Sequence, residues 1–246
     1  MKFSVIVPTY NEEGCVSKCL KSIQEQNCSR SQFEIIVADS SSSDRTAEIA
    51  KSLADKVATT DKRGIAHGRN FGAQHAQGEI VVFVDADVTL DRSFLHELES
   101  AFQDGNILAV TGLGIPGDGG LFQRAVYRGT YILVRLFNSL GLPLYPGLCV
   151  AYKKDAFNRV GGFREDFGIV EDLDLSKRIS KLGICKVRSS AIAYVSTRRL
   201  QKHGLSTILF HIYNDVLYLI TGRAAKIYPK VEELHSPLDL WRINKS

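Results

Sequence analysis

The sequence is poor in sulfur chemistry. Its 246 residues hold five cysteines, Cys15, Cys19, Cys28, Cys149 and Cys185, an odd and scattered set without a CxxC pair. That excludes a zinc-site spacing and a full disulfide framework, and the expected setting is a reducing cytoplasm. Long apolar runs are also missing. The longest, 205–220, is broken by His211, Asn214 and Asp215, which leaves it too polar and too short for a membrane span. No secretory leader is expected either, since Lys2 is followed at once by a short apolar run that ends at Pro8. Charge of one sign is scarce: 31 Lys+Arg against 27 Asp+Glu leaves +4, too weak an excess to predict nucleic acid as a partner. There is no internal repeat, low-complexity tract or linker. What remains is 44% hydrophobic and 24% charged, ordinary for a soluble globular protein, which excludes disorder, collagen and coiled coil. The length fits one α/β domain.

Short β-rich runs alternate with helical patterns over the first hundred residues. Strands are predicted at 3–7, 33–38, 56–59 and 80–84. Helices are predicted at 15–23, from an Asp44 cap through 53, at 65–76 and at 93–102. This alternation implies βαβ units and a mainly parallel, Rossmann-like sheet flanked by helices. After a strand at 107–111, five glycines and one proline in 112–120 read as a flexible loop. Residues 121–140 are apolar with Arg124, Arg128 and Arg135 interleaved. Further strands are expected at 148–152, 184–187 and 191–195, a helix at 171–182, and amphipathic helices in 205–246.

The chemistry centres on Val84-Asp85-Ala86-Asp87. Two carboxylates follow a buried strand, and period-two alternation puts both on one side if the strand continues. Open α/β sheets bind ligands at the carboxyl ends of their strands. A hard divalent cation that bridges phosphate oxygens takes such ligands, while the bland alternative is a solvated acidic turn. Asp85-Ala86-Asp87-Val88-Thr89-Leu90 also resembles the haloacid-dehalogenase phosphatase motif, with Asp85 as a nucleophile and Mg²⁺ nearby. That reading leaves the 84 preceding residues without a role.

Those residues carry a second resemblance. Val7-Pro8-Thr9-Tyr10-Asn11-Glu12, Val37-Ala38-Asp39-Ser40, and Gly64 through Gly72 precede the D-x-D strand in order. Together they resemble the nucleotide-sugar domain of family-2 glycosyltransferases, which have the GT-A fold; the likeness covers 3–90 and resumes at 147–182. It implies that Pro8, Tyr10, Glu12 and Asp39 line the nucleoside pocket and that Arg69 meets the nucleotide or diphosphate. Asp85 would lie near the ribose and the metal, Ala86 would also contact the donor, and Asp87 would be the direct ligand to Mn²⁺ or Mg²⁺. Tyr10 offers a face to a base, and carboxylates accept hydrogen bonds from ribose hydroxyls or base N–H groups. The structural alternatives are a strand-ending Pro8, a turn-capping Asp39 and a solvated Arg69.

In Glu171-Asp172-Leu173-Asp174-Leu175 the resemblance assigns Asp172 as general base. The competing use is helix capping, and Asp174 is placed to pair with Arg178 at i,i+4. The cluster at 198–203 resembles the basic segment that meets the leaving diphosphate, with Arg199 as its donor-binding residue. The Q-x-x-R-W motif of processive synthases is absent, which argues against polymerisation. Gly112-Leu113-Gly114-Ile115-Pro116-Gly117 matches GxGxxG formally, but Pro116 and further glycines replace the apolar helix start of a dinucleotide site.

The expectation is a single catalytic domain over 1–246. Residues 1–105 bind the donor, 106–204 bind the acceptor and hold the base, and 205–246 are helical. The expected activity is sugar transfer, inverting as the family resemblance implies, from a nucleotide sugar (UDP favoured) to a glycan, lipid-linked or small-molecule acceptor. A non-catalytic sugar-nucleotide binder is a third class. The segments 121–140 and 205–220 are suited to peripheral membrane contact, or equally to core or homodimer packing.

Overall fold

The computed structural model describes residues 1–223. Its strands are β1 (Phe3–Thr9), β2 (Phe33–Asp39), β3 (Lys56–Thr59), β4 (Ile80–Val84), β5 (Val88–Leu90), β6 (Ile107–Pro116), β7 (Cys149–Lys153) and β8 (Ile184–Val195). They form one sheet in the order β3-β2-β1-β4-β7-β6-β8-β5. β1 lies parallel to β2 and β4, β2 to β3, and β6 to β8. β7 enters antiparallel between β4 and β6, and β5 closes the far edge antiparallel to β8.

The helices are α1 (Val16–Gln24), α2 (Thr46–Lys51), α3 (Ile65–Gln74), α4 (Phe94–Phe102), α5 (Leu121–Ser139), α6 (Lys154–Arg159), α7 (Glu171–Ile179), α8 (Arg198–His203) and α9 (Leu205–Thr221). Period-two alternation explains the layers. Val5 and Val7 of β1, with Val82 and Val84 of β4, face α1 and α4 through Val16, Leu20, Phe94 and Leu98. Ile6, Val81 and Phe83 point the other way, toward Ala66, Phe157 and Leu175 of α3, α6 and α7. Burial on both faces is why these strands read as unbroken apolar runs.

Several local expectations change. β4 stops at Val84 and 85–87 form a turn before β5, so strand alternation is not what joins the two carboxylates. The glycine-rich stretch after 111 is not a loop at its start, because β6 runs on to Pro116. A Cβ at Gly112 would sit 2.5 Å from the Ala191 carbonyl oxygen and 2.7 Å from Phe94 Cε2, so glycine there serves close strand packing. The two short strands expected at 184–195 are one, β8, with register shifts opposite β6. Helix α2 begins at Thr46, and Asp44 holds its start by accepting the Thr46 amide at 2.9 Å. Asp174 pairs with Arg178 at 2.7 Å as the spacing predicts. The C-terminal helical expectation is met through Thr221; its remainder, 224–246, lies outside the described residues. Core packing does not account for α5, whose one buried residue is Val134.

Candidate active site

Four chain segments meet at the guanidinium of Arg69. It stands on α3 and is 2% exposed. Nη1 donates to Glu171 Oε1 at 2.7 Å, and Nη2 donates to Asp85 Oδ1 at 2.9 Å and to the Gly147 carbonyl at 3.1 Å. Its Cζ lies 5.3 Å from the centre of the Phe163 ring. A Cβ on residue 147 would fall 2.6 Å from Nη2, so only glycine lets the 147 backbone come this close. A buried arginine must be paired, and here two carboxylates from distant segments pair it. Burial and the neighbouring Asp172 push the Glu171 carboxyl up to about 7, against the opposing pull of Arg69.

Asp172 is the second residue of α7. Val170, just before the helix, holds a left-handed φ of 67°, an uncommon conformation for a β-branched residue and a sign of local strain. The turn aims Asp172 back at the loop before β7. Its Oδ1 accepts the Leu173 amide at 2.8 Å, and its Oδ2 accepts the Gly147 amide. Each oxygen keeps one further lone pair for an incoming hydroxyl. Burial raises its carboxyl above the ordinary range, with Arg69 opposing. That combination, a held carboxylate with spare acceptor capacity and raised basicity, is suited to taking a proton.

On the other side of Asp85, Asp87 faces Glu12 and Arg198. Arg198 Nη2 donates to Glu12 Oε1 at 2.7 Å, and its Nε lies 3.2 Å from Asp87 Oδ2 without hydrogen-bond geometry. That Nε is a buried polar atom with no hydrogen-bond partner. Burial and the charge of Asp85 push Asp87 up to about 6, with Arg198 pulling it down. The donor set fits a hard divalent ion: oxygen ligands only, already drawing a cationic side chain. Among the described residues no group of three or more His, Cys, Asp or Glu is placed to hold a metal. One or two carboxylates completed by phosphate oxygens and water is the ordinary arrangement for Mg²⁺ bound with a nucleotide.

The expected nucleoside-binding residues lie at the carboxyl ends of β1 and β2. Pro8 and Ala38 are paired in register, and Ala86 is buried in the turn after β4. Asp39 is 1% exposed; its Oδ1 accepts from Thr9 and Ser42 hydroxyls at 2.8 and 2.6 Å, and its Oδ2 accepts the Ser42 amide at 2.9 Å. It therefore orders its own turn and keeps one acceptor position for a ligand. Arg63 lies over the Tyr10 ring, 4.5 Å from its centre. Arg199 is part-exposed, and its charge reaches Asp87. Sequence reasoning passed over Glu171 as a partner of Arg69, Arg63 above Tyr10, and Arg198 as the arginine seated between Glu12 and Asp87. The Glu171-Asp172 doublet was a visible signal for the first. Nothing local separates Arg198 from Arg199.

This mixed sheet, with carboxylates gathered at strand ends beside an acidic helix start, has the GT-A fold of its glycosyltransferase structural neighbours. Residues 4–161 match the model of the Glycosyl transferase family 2, and the chain belongs to that family. Over 148 residues it is 33% identical to the poly(ribitol-phosphate) beta-N-acetylglucosaminyltransferase TarS of Staphylococcus aureus (strain Mu50 / ATCC 700699), covering 56% of this chain and 25% of that protein. It is 29% identical to the O-antigen chain rhamnosyltransferase WbaN of Salmonella anatum, over 74% of this chain and 61% of that one. The chain thus spans between a quarter and about three fifths of the length of these two relatives. Among solved structures, a mannosyltransferase from Pyrobaculum calidifontis in complex with GDP-Man and Mn²⁺ superposes with a TM-score of 0.72 at 27% identity, over 91% of this chain and 65% of that one. The family match includes 85–90, so the phosphatase alternative for Asp85 is not carried forward.

Proposed function

We propose that this chain transfers a sugar from a nucleoside-diphosphate sugar, UDP favoured, to an acceptor hydroxyl with inversion at the anomeric carbon. The observation that carries the reading is the group of carboxylates beyond the carboxyl end of β4, Asp87 and Asp85 in the turn and Asp172 at the start of α7, with Arg69 bonded to Asp85 and Arg198 beside Asp87. Asp172 takes the acceptor proton while the acceptor oxygen bonds to the anomeric carbon. The bond from that carbon to the diphosphate breaks on the opposite face, and the nucleoside diphosphate leaves. Asp87, with Asp85 beside it, would hold Mn²⁺ or Mg²⁺, which when bound offsets the charge of the departing diphosphate. Arg198 and Arg199 add positive charge on the same side. Tyr10, Arg63 and Asp39 receive the nucleoside, and Arg69 sets the spacing between the donor and base sides by holding Asp85 and Glu171.

The family match supports this, as does the Pyrobaculum neighbour with its GDP-Man and Mn²⁺. The acceptor is a glycan, a lipid-linked sugar or a small molecule. Five unpaired cysteines support a cytoplasmic setting. No described helix is long and apolar enough to cross a membrane. The decisive experiment is calorimetric binding of UDP- and GDP-sugars with Mn²⁺ and with chelator, followed by release of nucleoside diphosphate. Metal-dependent binding and turnover are expected. Binding without turnover on any acceptor favours the non-catalytic binder, and absence of binding under every metal condition sinks the reading.

A further inference from the structure

Helix α5 is covered by the protein on one side. There Val134 is buried, Tyr131 donates its hydroxyl to Ser189 at 2.7 Å, and Asn138 accepts from Tyr145 at 2.6 Å. The other side carries Leu121, Phe122, Ile132, Leu133 and Leu136, which are between 47% and 84% exposed. At 3.6 residues per turn these fall in one arc of about 120°. Arg124, Arg128 and Arg135 share a narrow stripe along one edge of that arc, and all three are exposed. No salt bridge among the described residues reaches them. Between Asp118 and Asp155 the chain holds no Asp or Glu at all.

Charge selects the occupant of this face. A second copy docked through it by two-fold symmetry would bring both arginine stripes together if the helices ran antiparallel, and in either direction the segment offers no carboxylate to offset them. An anionic lipid surface satisfies both halves of the pattern. We propose that α5 is an interfacial membrane helix: its apolar arc enters the boundary between headgroups and acyl chains, and its arginine stripe meets lipid phosphates. This goes beyond the transferase reading and stands or falls without it. Gly147, which touches both Arg69 and Asp172, lies on the loop that α5 leads into.

The test is flotation of the full chain with vesicles of phosphatidylcholine alone and of phosphatidylcholine mixed with phosphatidylglycerol. Binding to the mixed vesicles at low salt and release at high salt are expected. The combined Arg124→Gln, Arg128→Gln and Arg135→Gln variant should bind roughly a hundredfold more weakly, at about fivefold per charge. Ile132→Glu with Leu136→Glu should abolish binding while thermal melting and nucleotide-sugar binding stay those of the parent. No binding to anionic vesicles at low salt overturns the proposal, and so does equal binding to neutral vesicles. A dimer on gel filtration that Ile132→Glu dissociates, without any lipid binding, overturns it in favour of a second copy.

Discussion

Replacing Arg69 with Met removes the cation that joins the two halves of the site while keeping much of the side-chain stem. Glu171 is the partner left stranded, because its side chain is 8% exposed and its Arg69 bond is 2.7 Å long. Asp85 is 33% exposed and recovers more of its hydration, so it contributes little to the loss. Breaking a buried pair by removing one partner costs about 3–5 kcal/mol, and the lower end applies here because Glu171 can take up a proton. For a chain of this length, about 3 kcal/mol lowers Tm by roughly 6–12 °C. The pH dependence follows from Glu171. Its folded carboxyl already stands at about 7, above the ordinary 4.5, and losing Arg69 raises it further. A folded state that binds more protons than the unfolded one loses stability as pH rises, so the variant's deficit grows with pH and shrinks on acidification. The slope of one such group is at most about 1.4 kcal/mol per pH unit. Thermal melts of both proteins between about pH 6 and pH 8.5 read this directly. A deficit below about 1 kcal/mol at the alkaline end, or one independent of pH, would refute the claim that Arg69 is held chiefly by a buried Glu171 that ionises beside it. Glu171→Gln added to Arg69→Met should recover part of the loss, because a neutral amide no longer needs the cation.

Three further outcomes test the site. Asp172→Asn should keep nucleotide-sugar affinity and lower transfer by about 10²–10⁴-fold, read by steady-state kinetics; unchanged transfer removes Asp172 from the base role. Metal-dependent donor binding should weaken as pH falls through about 6, where Asp87 takes its proton, by up to about tenfold per pH unit. Asp87→Asn should remove that dependence in calorimetry, and in the metal-free protein the raised carboxyl makes Asp87's own contribution to stability fall as pH rises from 3.8 through about 6. Gly147→Ala should destabilise by about 1–3 kcal/mol, since its Cβ would press on Arg69 Nη2 at 2.6 Å, and should reduce transfer by shifting the amide that orients Asp172; a parental Tm would count against the close approach.

Much of the fold was legible from local pattern. The strands β1, β2 and β4 fall where apolar runs end in turn residues, because two-sided burial leaves a plain signal in sequence, while β3 is a short edge strand with only Ala58 buried. Where reading failed, the cause was non-local. The glycines after Thr111 look like a loop until β8 and Phe94 are packed against them, and then they are a strand made thin. The turn at 85–87 looks like a continuing strand until β5 leaves to pair with β8 on the far edge of the sheet.

The site divides along the same line. Sequence by itself determined the carboxylates at the end of β4, the acidic start of α7 and the presence of basic residues at 198–203, because each is a short run of fixed chemistry on one element. Tertiary structure alone decided that Arg69 is bonded to Glu171, 102 residues away, rather than solvated. It also decided that Gly147 delivers its amide to Asp172, and that Arg198 stands between Glu12 and Asp87. Local propensity and periodicity act over a few residues, whereas these contacts exist only once the sheet has fixed which strand ends are neighbours. A buried charge then takes whichever partner the topology brings within reach.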